Sequence, residues 1–428
     1  MDQQIKTGFG ALHDRMYPAL VAAMLFGFPL VSTLSVGLGL SSRMVSIPYR
    51  MVISAASIAW FAIAAALGKR VIDRRVIWCV GLLALMLMLR MFWDRTVVSL
   101  PIDLQWGDFS MQILGITVLP VLPFLFTVDR AQVVRAHSAS LWLGLGASVA
   151  IVIGVLLSIR AYVGGRLATD VLNPISIGAA GVSLYVVSSS LTASRKLVTL
   201  LARAVGALAG VGLCLLSASK GPLLGLLAVI ALQFAIPARP LTKAQRALYV
   251  AAILAVIGVA TSVAIWASGN AGLLLWSRLE NVSTDPSVAA RWLLWRGAME
   301  QFDRSPLLGD SFVESTLRFY PHNAFLESMM TTGIVGLTLL TVSVLVAGVS
   351  AFRALRDPAS RWLGLLFVQQ LISAQVSGTL YLSQSFWAML FLVIGSDSRA
   401  GGLGRGTVLS PVPRESRLPV EAAAPDGR

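Results

Sequence analysis

The chain has 428 residues, 56% hydrophobic and only 13% charged, with a mean hydropathy of +0.78. Soluble domains carry about 25% charged residues on average, so a water-soluble fold is excluded. The net charge of +14 does not by itself point to nucleic acid, because basic residues also gather in membrane proteins, where they set orientation and meet anionic lipid; no nucleic-acid partner is expected.

A spanning helix needs about 20 apolar residues. Runs of that kind lie near Tyr17 to Leu40, Met51 to Leu67, Val76 to Trp93, Met111 to Val128, Ala139 to Ile159 and Ile175 to Leu191. They continue near Leu197 to Leu216, Pro222 to Ile236, Ala247 to Trp266, Asn323 to Ala351, Ala359 to Ser377 and Thr379 to Gly395. Ala139 to Ile159 is apolar on every face, which excludes a barrel strand that alternates apolar and polar residues. The predicted fold is all-α: a polytopic integral membrane protein of about twelve transmembrane helices, with one long outer loop carrying amphipathic helices.

No small-residue cleavage signature follows the first run, so that helix is expected to stay in place. The larger share of Lys and Arg falls on the side that holds both termini, including Lys69, Arg70, Arg74 and Arg75 in one connection and Arg353, Arg356 and Arg361 in another. By the positive-inside rule that side is cytoplasmic. The predicted organisation is therefore spans one to nine over residues 1–267, a periplasmic loop over 268–321, spans ten to twelve over 322–395, and a disordered cytoplasmic tail over 396–428, whose four prolines lie among Gly, Arg and Ala with nothing to bury.

Within the loop, Asp285-Pro286 reads as an N-cap followed by proline at the first helical position. It leads into an amphipathic helix from Ser287 to Phe302 at the membrane surface, ended by Arg304-Ser305-Pro306. No acid falls inside a predicted span, Glu327 standing in the first turn of the tenth, which counts against an ion-coupled transporter. No phosphate-binding G-x-x-x-x-G-K-[ST] occurs. Cys79 and Cys214 sit in separate spans and are given no role.

Three basic residues on the outer side stand apart. His322 is the only one of three histidines there, at the start of the tenth span, where the positive end of a helix disfavours imidazolium. It reads either as a general base or as an interfacial histidine bonded to a headgroup or backbone. Lys220, in Ser217-Ala-Ser-Lys-Gly-Pro-Leu-Leu224, reads as a phosphate ligand at a helix start or as a snorkelling lysine. Arg291, four residues before Trp295 and so on the same face, reads as a bidentate phosphate ligand or as a headgroup contact, with Arg296 and Arg278 as competitors.

In order and spacing these segments resemble the O-antigen ligase family. Lys220-Gly-Pro-Leu-Leu224 matches its basic-residue-x-x-x-Leu element, Arg291 with Trp295 its loop arginine and tryptophan, and His322-Asn323 with Leu326 and Gly333 its histidine element. The resemblance covers roughly Ser217 to Leu337; some members have arginine at the position of Lys220. It implies a C-type, inverting, metal-independent membrane glycosyltransferase of the bacterial inner membrane, without cofactor. The implied donor is undecaprenyl-pyrophosphate-linked O-antigen and the implied acceptor is the lipid A core oligosaccharide, both reached from the surrounding membrane lipids. On that resemblance His322 is the base and Lys220 and Arg291 hold the pyrophosphate. Trp295, Asn323, Glu327, Arg296 and Arg318 are possible supporting residues. An O-antigen polymerase or a protein O-oligosaccharyltransferase shares the pattern, and a lipid-linked glycan flippase is the alternative from a different class.

Overall fold

A computed structural model describes residues 2–36, 40, 42–97, 113–157, 162–163, 166–169, 171–190, 196–237, 254, 258, 262 and 286–397. In chain order the helices are α1 (Asp2–Ala22), which runs through a π-helical turn (Ala23–Gly27) into α2 (Phe28–Val36), then α3 (Ser42–Ala66), α4 (Arg74–Thr96), a π and 3-10 stretch (Ile113–Val118, Leu119–Leu125) and α5 (Arg130–Leu157). There follow α6 (Pro174–Ser189), α7 (Leu197–Leu216), α8 (Lys220–Ala235), α9 (Pro286–Arg304), α10 (Ala324–Arg356), α11 (Arg361–Val376) and α12 (Gln384–Gly395). Among the described residues the departures from helical structure are a small antiparallel hairpin, β1 (Tyr162–Val163) with β2 (Arg166–Leu167), and an isolated antiparallel bridge between Val71 and Phe126.

Among the described residues six segments are long and apolar enough to cross a membrane: Gly10–Thr33, Met44–Ala66, Arg74–Thr96, Arg130–Leu157, Leu197–Leu216 and Ala324–Arg356. Shorter apolar helices accompany them at Ile113–Leu125, Pro174–Ser189, Lys220–Ala235 and Gln384–Gly395. Of the expected ninth span only Leu254, Gly258 and Ser262 are described, all helical. The chain is thus a helical membrane protein, with large apolar side chains such as Trp78, Leu156 and Leu197 turned outward at 76%, 78% and 70% exposure, an arrangement that suits lipid and not water.

The bundle is organised around α12. From Phe386 to Ile394 no residue is more than 2% exposed, so this short helix is apolar on all sides and serves as the central post. Its end also corrects one expectation. The stretch from Ser396 was read as the start of the disordered tail, but Asp397 accepts hydrogen bonds from Arg353 (2.7 Å) and Ser350 (3.2 Å) on α10; residues 398–428 lie outside the described part.

The tenth span, expected from the apolar run Asn323 to Ala351, is not one regular helix. Gly333 adopts φ +64 and ψ −160 and breaks α10. The break frees backbone groups that an apolar layer cannot satisfy, and the segment after α9 satisfies them. Ile334 N–H donates to Pro306 O (2.8 Å) and Asp310 N–H to Met330 O (2.9 Å), an antiparallel exchange across the break. A side chain at Gly333 would strike the backbone of Leu307, and Gly309, also left-handed at φ +79, lies as close to the backbone of Thr331. Two residues of α4 seal the joint. Arg90 donates to the carbonyls of Leu308 (2.9 Å), Gly309 (2.6 Å), Asp310 (2.9 Å) and Thr331 (3.3 Å). Asp94, fully buried and 3.7 Å from Arg90, accepts the Phe312 N–H at 2.6 Å. Sequence patterning put this acid just beyond its span; the helix extends one turn further and carries it inward.

Two substitutions test this joint. Gly333→Ala combines a left-handed backbone with a backbone clash and should cost about 2–4 kcal/mol. Arg90→Met strips four carbonyls and a carboxylate of their partner and should cost about 3 kcal/mol or more. Both are read as a lowered unfolding midpoint in detergent micelles, and an unchanged midpoint for either would show that the joint is held by other contacts.

Candidate functional site

Helix α9 lies over the joint and shapes the segment that leads to His322. Leu294, Ala298 and Gln301 face inward at 4%, 0% and 0% exposure, while Trp292 and Leu293 point outward. The Gln301 amide nitrogen donates to Ser311 Oγ (2.5 Å) and Val313 O (3.2 Å), and its oxygen accepts from Ser315 N–H (2.9 Å). Buried Glu314 caps the next turn by accepting from Thr316 and Leu317 N–H. The Trp295 indole N–H then donates to Pro321 O at 2.8 Å, next to His322 itself. Asp285, the expected N-cap of α9, and Arg278 lie outside the described residues.

His322 is left-handed, at φ +56, a conformation histidine tolerates better than most residues but one that is unusual enough to mark functional positions. Asn323 follows as the N-cap of α10, its side-chain oxygen accepting from Phe325 (3.1 Å) and Leu326 (3.0 Å) N–H. The imidazole packs beside the mutually stacked rings of Phe319 and Tyr320, at centroid distances of 5.4 and 4.6 Å. Burial, then the guanidinium of Arg291, hold the ring below the usual histidine range. A backbone bond to Ser377 acts in the opposite sense, as donation from the ring to a carbonyl does. Nδ1 is buried with no hydrogen-bond partner, which makes Nε2 the donor and leaves the Nδ1 lone pair as the one able to take a proton.

The connection between α11 and α12 joins the remaining candidates. Glu327, fully buried in the first turn of α10, accepts from Thr379 Oγ1 (2.9 Å) and Leu380 N–H (3.0 Å). It fixes that connection and with it Ser377, the partner of His322. Lys220 stands in the first turn of α8. Gly221 beside it approaches so near that a Cβ there would lie 2.8 Å from Val376 Cγ2 and 3.8 Å from Ser377 Oγ, so the glycine is needed for helix contact. Arg291 thus acts electrostatically on His322, which is bonded to Ser377, and Gly221, the neighbour of Lys220, packs beside that same corner.

The other supporting candidates separate from this group. Arg296 pairs with Glu300 at 2.9 Å on the exposed side of α9, and Arg318 is exposed on the loop with φ +53. One cation was missed. Arg166, on β2, donates to Ser219 Oγ (2.6 Å) and Ser217 O (3.2 Å), directly before Lys220. No motif marks it, since a two-residue strand in an interhelical connection carries no periodicity. Among the described residues, no group of three or more His, Cys, Asp or Glu side chains stands together as a metal-binding set.

Comparison with known proteins now bears on this geometry. Residues 204–341 match the family model described as O-antigen ligase, a stretch that contains Lys220, Arg291 and His322 and the joint at Gly333. The exopolysaccharide production protein ExoQ of Rhizobium meliloti is 27% identical over 227 residues, covering 47% of this chain and 46% of its own length; the chain thus spans about half of that relative. By these two findings residues 204–341 are similar to an O-antigen ligase-like family.

Proposed function

We propose that the chain is an O-antigen ligase of the bacterial inner membrane, transferring polysaccharide from undecaprenyl pyrophosphate to a hydroxyl of the lipid A core on the periplasmic face. The observation that carries this reading is His322, a neutral imidazole with one nitrogen tied to Ser377 and the other bare, held beside the Arg291 guanidinium. Sugar transfer from a pyrophosphate asks for those two functions, a base for the incoming hydroxyl and positive charge for the departing phosphate.

In the proposed reaction the acceptor hydroxyl gives its proton to Nδ1 of His322 while its oxygen attacks the anomeric carbon. The bond from that carbon to the phosphate oxygen breaks with its electron pair leaving on the pyrophosphate, and attack from the opposite face inverts the centre. Arg291 offers planar paired donors to the leaving oxygens, and Lys220 adds a point charge at the start of α8. The imidazolium then stands beside Arg291, which favours prompt loss of its proton and restores the base. Trp295, Asn323 and Glu327 act on this scheme only by positioning His322 and Ser377.

A second reading, an O-antigen polymerase, draws support from the relative described as an exopolysaccharide production protein, because polymerisation uses the same donor chemistry with another lipid-linked glycan as acceptor. In cells lacking the native gene, His322→Ala or Arg291→Ala should leave lipid A core without polymer. Normal capping with His322→Ala would remove it as the base and favour a carrier. Retained capping with shortened chains would select the polymerase.

The titration of His322 gives an independent check. Its folded value lies below the ordinary value of about 6.5, so the stability contributed by the neutral ring is present above about 6.5 and is lost as pH falls through the lowered value. Arg291→Gln removes one cause of the lowering and should move the midpoint of the ring upward, toward 6.5, in an NMR titration of labelled histidine. A midpoint that does not move would show that Arg291 and His322 do not sense each other.

A further inference from the structure

Ser377, the partner of His322, also lines a second feature of the same end of the bundle, an open cavity of about 450 Å³ between the π-helical turn after α1, α2, α3, α6, α11 and α12. Its wall is rich in hydrogen-bonding groups, among them Asn173, Ser176, Gln370, Ser373 and Ser377, and carries one charge, Arg50. Arg50 lies within the membrane-crossing segment Met44–Ala66. A cation in such a segment is costly and marks a functional site by default, with a partner to be named. Among the described residues that line the cavity there is no Asp or Glu, and none forms an ion pair with Arg50. No described carboxylate thus compensates Arg50, which points to negative charge brought by a ligand.

The rest of the wall narrows what brings that charge. Tyr49 spends its hydroxyl on Ala23 O (2.7 Å), in the π-helical turn, and its ring lies 5.9 Å from that of Phe28; this fixes an aromatic surface at the side of the cavity. Fixed aromatic faces together with serine hydroxyls and side-chain amides suit a sugar, whose ring presents C–H surfaces and whose hydroxyls need paired donors and acceptors. The volume is within the range of small-molecule sites. Building on the function proposed above, we propose that this cavity is a saccharide subsite for a sugar bearing a negative charge, with Arg50 as its specificity-determining cation. A sugar phosphate of that kind is present both in a diphosphate-linked donor and in a phosphorylated acceptor core, and Ser377 sets whichever is bound beside His322.

The experiment uses the full chain in lipid nanodiscs, with an undecaprenyl-pyrophosphate-linked saccharide as donor and polymer-free lipid A core as acceptor. Binding of each is measured by thermophoresis, alongside KM and kcat. Arg50→Gln should weaken one substrate's binding and raise its KM roughly tenfold, as expected for one lost charged contact, with kcat within about threefold and most of the affinity recovered by Arg50→Lys. Loss confined to the donor identifies the donor sugar as occupant, and loss confined to the acceptor identifies the acceptor; either supports the subsite. Ser176→Phe, which fills the cavity and keeps Arg50, should have the same effect and decides the matter if Arg50→Gln does not fold. Unchanged affinity for both substrates in a folded variant overturns the proposal. His322→Ala separates the two readings: it should abolish turnover and leave both affinities intact, whereas full turnover would defeat the catalytic assignment without touching an affinity loss measured at Arg50.

Discussion

Backbone groups inside an apolar layer must find partners within the protein, and the break of α10 at Gly333 makes this demand acute. The demand is met by one segment, residues 306–310, which exchanges hydrogen bonds with Met330 and Ile334 while Arg90 takes up the neighbouring carbonyls. A continuous helix would have needed none of this and would have left the outer segment free to move. The interruption is thus what ties the segment after α9 to the bundle, and that segment carries His322. An Arg90 engaged by four carbonyls and a buried Asp94 is a costly arrangement in isolation, but here the arginine's donors are taken up by carbonyls and one Asp94 oxygen by the Phe312 N–H, and such paired contacts are what let buried polar groups hold a geometry.

From that joint the path to the proposed chemistry is short. Gln301 and Glu314 shape the turns, Trp295 holds Pro321, and Asn323 starts the helix again, so the unusual backbone of His322 is enforced from both sides. Glu327 stood as a candidate partner of the base, yet its carboxylate is committed to Thr379 and Leu380. It works one step away, by fixing the connection that presents Ser377 to the imidazole. This division, a neutral base buried among aromatics and cations supplied from α8 and α9, fits a reaction in which negative charge appears on a leaving phosphate.

The fold as a whole separates two kinds of surface. Helices such as α4, α5 and α7 turn large apolar side chains outward, whereas α12 is enclosed on every side. The proposed chemistry and the Arg50 cavity lie where helices begin, end or break: the first turns of α8 and α10, the end of α11, the π-helical turn after α1. Such places leave backbone and side-chain polar groups unused by regular structure, which gives an otherwise apolar bundle the means to hold a polar substrate.

Composition and apolar run length were enough to determine that this chain enters a membrane as helices, because those properties sum over many residues and tolerate local error. The order and spacing of the segments around Lys220, Arg291 and His322 likewise gave one stretch a resemblance to a known family. What the tertiary structure alone decided was which of these groups act on one another. The break at Gly333, the role of Arg90 as a clasp, the commitment of Glu327 to the α11–α12 connection, and the placing of Arg166 beside the start of α8 all arise from contacts between residues far apart in the chain. Periodicity records which face of a helix is apolar; it carries no record of which buried carbonyl a distant arginine will meet, since that follows from packing.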